Sequence, residues 1–126
     1  MTSPFDSIAA CHPVLGEAAA AASEYWDPEP VPLSVGLGAL GNALVKAERD
    51  IPDEALARVA ACVEEALESR GDVRDAVATG FLEAIAHRAD QAPSSVERIV
   101  RSLGPRAVEY IRAWDEFSGS GTPGVR

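Results

Sequence analysis

The chain has 126 residues, 23 of them alanine, and a formal net charge of −9. That length suits one domain around a single core, and two cysteines, Cys11 and Cys62, are too few for a disulfide scaffold. No stretch reaches the ~20 apolar residues of a membrane span, and an acidic chain disfavours nucleic acid, whose counterions only Lys and Arg can release.

Charge and side-chain bias refine these bounds. The acids concentrate before residue 90, so the first two thirds of the chain are acidic and the last third is slightly basic. Such a surface favours a basic protein partner through steering, although solubility alone also explains it. Alanine favours helices because it loses no side-chain entropy there. The β-branched residues are scattered and do not alternate, which argues against a sheet. "MTSPFDSIAA" is not a secretory signal, so a cytoplasmic location is expected by default. Ten arginines against one lysine point to a bacterial source.

In chain order, a short helical turn can follow Ser3-Pro4, and Pro13 opens a helix over about 13–26. "DPEPVP", residues 27–32, is a stiff extended connection. Ser34 can cap a helix over about 34–49 with Leu37, Leu40, Leu44 and Ala47 on its apolar face. The same segment, "SVGLGALGNAL", carries Gly36, Gly38 and Gly41 at G-x-G-x-x-G spacing. That spacing can cradle a pyrophosphate, but only after a strand and at the start of a helix. Here no strand precedes it, and the leucines keep helical phase through all three glycines. The expected reading is a notched helix in which Gly38 or Gly41 meets another helix backbone closely.

The next helix, about 51–70, has the cleanest stripe: Leu56, Val59, Ala60, Val63, Ala66 and Leu67. Gly71 is expected to end it and Asp72 to cap the next, which carries Val73, Val77, Phe81, Ala84 and Ile85 to about residue 89. Ser94 and Glu97 fit a capping box before Val96, Ile99, Val100 and Leu103. Gly104-Pro105 opens the last helix, with Val108, Ile111 and Phe117 on one edge and Tyr110 and Trp114 on another. Residues 118–126 read as a disordered Gly/Ser/Pro tail after a domain spanning 1–117. The expected fold is an all-α single domain, a bundle or short solenoid-like stack of five to six antiparallel helices.

Chemistry is sparse. Cys11-His12 is an adjacent pair, but no C-x-x-C or H-x-x-x-H exists. No nucleophile elbow is present, and no histidine is spaced to serve the carboxylate pairs. Catalysis, a cofactor, a metal and a small-molecule substrate are therefore not expected.

"AVATGFLEAI" (76–85) with "LGPRAVEYIRAWDEF" (103–117) resembles a bacterial all-helical family of small immunity-type proteins that accompany polymorphic toxins. The resemblance rests on Gly80-Phe81-Leu82-Glu83, the Leu103-Gly104-Pro105 junction, and Trp114 followed by an acid and Phe117. It implies a non-enzymatic protein that binds and neutralises a cognate toxin. It transfers no binding residues.

Two candidate binding surfaces follow from the residues themselves. Glu64, Glu65, Glu68, Asp72 and Asp75 cluster around the turn at 71, where they could meet a basic toxin such as a nuclease. Tyr110, Trp114 and Asp115 bring together residue types enriched at binding hot spots. The alternative function is a small regulatory or accessory subunit of another complex. A third is an enzyme with a pocket between helices, which a buried Glu or His beside Cys62 would favour.

Overall fold

The computed structural model describes residues 3–125, which form a helical bundle without a strand among them. Helix α1 is Pro4–Ala9, α2 is Pro13–Trp26, α3 is Leu33–Lys46 and α4 is Asp53–Glu68. Helix α5 runs without a break through three parts: α-helical Asp72–Ala76, π-helical Val77–Leu82 and α-helical Glu83–His87. Helices α6, Pro93–Ser102, and α7, Pro105–Ser118, complete the seven. A 3₁₀ turn, Glu48–Asp50, joins α3 to α4.

Proline sets where these helices begin. Pro4, Pro13, Pro93 and Pro105 occupy first turns, where the missing N–H has no partner to lose. Ser3 caps α1 by accepting from the Asp6 N–H, and His12 caps α2 by accepting from the Val14 N–H at Nδ1. The expected caps at Ser34, Asp72 and Ser94 do not form. Pro32, Gly71 and Ala92 hold the cap positions, so each polar residue falls inside its helix. Gly71, with φ 74°, opens α5 and does not close α4.

The core is built mainly on α3, α4, α5 and α6. Leu37, Leu40 and Leu44 of α3 are fully buried, as are Phe81, Leu82 and Ile85 of α5 and Ile99 of α6. Every residue of the expected α4 stripe is buried. Phe117 is not: it stands 92% exposed. It lies six residues after the buried Ile111, about 240° around a helix, and so falls out of phase with the core.

The glycine-rich segment is a helix interface. A Cβ on Gly41 would lie 2.8 Å from the Phe81 carbonyl oxygen, and one on Gly80 would lie 2.5 Å from the Ser34 oxygen. Gly38 faces the Gly80 oxygen at an ordinary 3.5 Å, and Gly36 makes room for the Phe5 ring. Helix α3 therefore meets the π-helical part of α5 backbone to backbone. The Thr79 hydroxyl donates to the Asp75 carbonyl in that stretch, the kind of side-chain bond that loosens a helical ladder.

Two polar clasps hold the far end. Arg98 donates to the Glu48 carboxylate, the Glu48 and Ile51 carbonyls and Asp53, tying α6 to the 3₁₀ turn. The chain after α7 folds back, contrary to the expected disorder. Gly119 ends α7 in the left-handed conformation. Thr122, 6% exposed, gives its N–H and hydroxyl to Asp115, and Val125 packs on the core. Composition missed this because a single carboxylate anchors the segment.

Candidate functional site

The turn at residue 71 does not present five free carboxylates. Glu64 reaches from α4 to the start of α7. There its Oε1 accepts the Arg106 N–H at 2.7 Å and the Ala107 N–H at 3.4 Å. The free N–H groups and the positive end of the helix dipole hold this carboxylate. Gly104 leaves the room it needs, since a Cβ there would collide with Glu64. The other oxygen, Oε2, is buried with no protein partner among the described residues. Glu68 pairs with the Arg106 guanidinium at 3.2 Å. Glu64 thus fixes α7 on α4, while Glu68 stays exposed in a surface pair across the same junction. Asp72 and Asp75 are exposed in the first turn of α5, with Arg74 3.9 Å from Asp75. Glu65 borders a cleft.

The second expected surface is also engaged within the fold. The Tyr110 hydroxyl donates to Glu83 Oε2 at 2.5 Å, Trp114 stands edge-on to His87 at 5.2 Å, and Asp115 holds Thr122. Burial, aided by the Glu83 carboxylate, pushes the Tyr110 phenol up to about 12. A phenol pKa raised in the folded state makes its contribution below the unfolded value near 10. That contribution is lost as pH climbs through about 12. In a Tyr25→Phe background, phenolate absorbance should therefore appear near pH 12, and Glu83→Gln should lower that midpoint. A midpoint near 10 with Glu83 intact would contradict the contact.

Acids without a cation partner lie elsewhere. The first 45 residues contain Asp6, Glu17, Glu24, Asp27 and Glu29 and no Lys or Arg. All five are exposed, and none pairs with a cation among the described residues. Glu17 and Glu24 are seven apart on α2, so they share a face, with exposed Ala20 and Ala21 between them. At its end Tyr25 is 85% exposed and lies edge-on to Trp26, 6.4 Å between ring centres. The proline-rich connection then carries Asp27 and Glu29. The signal was present in the sequence as five acids without a base. Over the first two thirds of the chain this local excess is diluted by the bases that begin at Lys46 and Arg49.

A cleft of about 320 Å³ lies between α1, α4 and the start of α5, bordered by Pro4, Ser7, Leu33, Cys62, Glu65 and Val73. Behind it Cys62 Sγ lies 4.0 Å from Cys11 Sγ. The sequence treated these thiols separately, yet the packing of α1 on α4 brings them together. Among the described residues no group of three or more His, Cys, Asp or Glu could hold a metal ion. No helix among the described residues is long and apolar enough to cross a membrane. The chain matches no protein-family model, no curated protein and no solved structure.

Proposed function

We propose that this protein acts by binding a protein with a basic surface, most concretely as an immunity protein that neutralises a bacterial toxin. The observation that carries the binding is the α2 edge and the connection after it, where Glu17, Glu24, Asp27 and Glu29 are exposed without a cation partner among the described residues and Tyr25 is exposed with them. Unpaired surface charge of one sign steers an oppositely charged partner and raises its association rate. Tyr25 supplies the aromatic contact area on which hot spots depend. The narrower assignment to immunity rests on the resemblance of residues 76–85 and 103–117 to immunity-type proteins. Such a partner would dock on α2 and the 27–32 connection, covering the toxin's active site or substrate path. Glu65, Asp72 and Asp75, at the end of α4 and the start of α5, offer a smaller acidic patch.

The reading is tested by native affinity capture on the immobilised chain, with elution by salt. A basic protein should elute as ionic strength rises. When that protein is expressed alone in a bacterial host it should arrest growth, and co-expression of this chain should restore it. A basic partner that is harmless alone would favour an accessory subunit and overturn immunity. An acidic or salt-insensitive partner would overturn the electrostatic reading.

A further inference from the structure

We propose that Cys62 is a modification site for low-molecular-weight disulfides, with Cys11 as the thiol that resolves the adduct into an internal disulfide. The two sulfurs are 4.0 Å apart, and their environments differ. Cys62 is partly exposed and borders the cleft. Cys11 is 6% exposed, and its thiol donates to the Ser7 carbonyl. Only Cys62 is open to an attacker from solvent, and only Cys11 is near enough to follow.

The sequence of bonds balances with one co-reactant. The Cys62 thiolate attacks a small disulfide, forming a mixed disulfide and releasing one small thiolate. The Cys11 thiolate then attacks Cys62 Sγ, forming the Cys11–Cys62 bond and releasing the second small thiolate. The two protons of the protein thiols end on the two released thiols, so the protein is oxidised and the small disulfide reduced. Burial, with Cys62 adding to it, pushes the Cys11 thiol up to about 11. Arg58, which donates to the Cys11 carbonyl, favours the Cys11 thiolate. Access sets the order of events: Cys62, bordering the cleft, first, and buried Cys11 second. The cleft also ranks its reagents. Among the described residues its one bordering charge is the Glu65 carboxylate, so a disulfide bearing ammonium groups should enter faster than one bearing carboxylates.

The bond would join residues 51 apart, pinning the α1–α2 junction to α4. Cross-linking a loop of that size restricts the unfolded chain and should raise Tm on the order of 10 °C.

The test treats the reduced protein with cystamine or with oxidised glutathione and follows intact mass and Tm. The wild type should lose two hydrogens and melt higher. Cys11→Ser should stop at one adduct on Cys62. Cys62→Ser should form its adduct on Cys11 at least ~10-fold more slowly, because a buried thiol is poorly accessible. Cystamine should react faster than oxidised glutathione. The proposal is overturned if the folded wild type stays reduced or keeps a stable adduct, or if Cys62→Ser reacts as fast as Cys11→Ser. Equal or reversed rates for the two reagents would remove the cleft as the entry site.

Discussion

Gly80→Ala should destabilise the fold by about 2–4 kcal/mol, and Gly41→Ala by about 1–3 kcal/mol, as overpacking at a close contact does. In both cases the added methyl meets backbone: the Ser34 oxygen at 2.5 Å for Gly80 and the Phe81 oxygen at 2.8 Å for Gly41. A flexible side chain could turn aside; a carbonyl inside a packed helix moves only if α3 and α5 separate. Gly38→Ala should do the opposite. Its methyl would find the nearest atom at 3.5 Å, so little opposes the roughly 0.5–1 kcal/mol of helix propensity that alanine adds. Denaturant titration of the three variants checks the order. A neutral Gly80→Ala, or a Gly38→Ala as damaging as Gly41→Ala, would contradict backbone contact between α3 and the π-helical stretch.

Arg98→Ala should cost about 2–3 kcal/mol, because it removes a charge-assisted clasp and leaves polar groups behind. Arg98 serves four acceptors, two of them backbone carbonyls. The Glu48 side chain is only 12% exposed. Without Arg98 its carboxylate keeps the Ser95 hydroxyl at 2.9 Å and loses its cation. Arg98→Lys should recover less than half of the loss, since one ammonium cannot span acceptors that a planar guanidinium reaches in several directions. Asp53 also pairs with Arg98, but its side chain is 95% exposed, so Asp53→Ala should change stability little. A thermal or denaturant series of these variants with Glu48→Ala separates the parts. The Arg98 and Glu48 effects should be strongly non-additive. Additive effects would mean that the clasp is not one unit.

Much of the fold is legible in the sequence because it depends on periodicity. The apolar stripes of α4 and α6 lie at buried positions, and the leucines of α3 keep their phase through three glycines. The glycine motif is legible as a helix notch, and the close approach at Gly41 matches that expectation. What the glycines meet, Phe81 opposite Gly41 and Gly80 opposite Ser34, lies in a distant stretch whose π-helical winding carries no periodic signature. The helix caps fall two residues before the polar caps expected at Ser34 and Ser94, where a proline competes with the cap. Proline sets φ before the serine can act.

The candidate surfaces were harder to read, for a physical reason. Glu64, Glu68, Tyr110, Trp114 and Asp115 have binding chemistry, but a fold uses the same chemistry on itself. Glu64 caps α7, Tyr110 bonds Glu83 and Asp115 anchors Thr122. Which acid is used internally depends on what lies across the packing, and that is not local information. The α2 edge could have been found by asking where acids occur without any base nearby. Five acids and no Lys or Arg in the first 45 residues is such a place.

The most direct measurement compares two charge-reversed proteins for binding to the same captured basic partner. One carries Glu17→Lys, Glu24→Lys and Glu29→Lys; the other carries Glu65→Lys, Asp72→Lys and Asp75→Lys. All six side chains are exposed, so both proteins should keep the helical circular dichroism of the wild type. The α2 reversal should slow association on the order of 10–100-fold and flatten its salt dependence. The reversal at 65, 72 and 75 should leave association close to wild type. A partner that ignores the α2 reversal and is lost with the other would contradict the α2 edge as the binding surface.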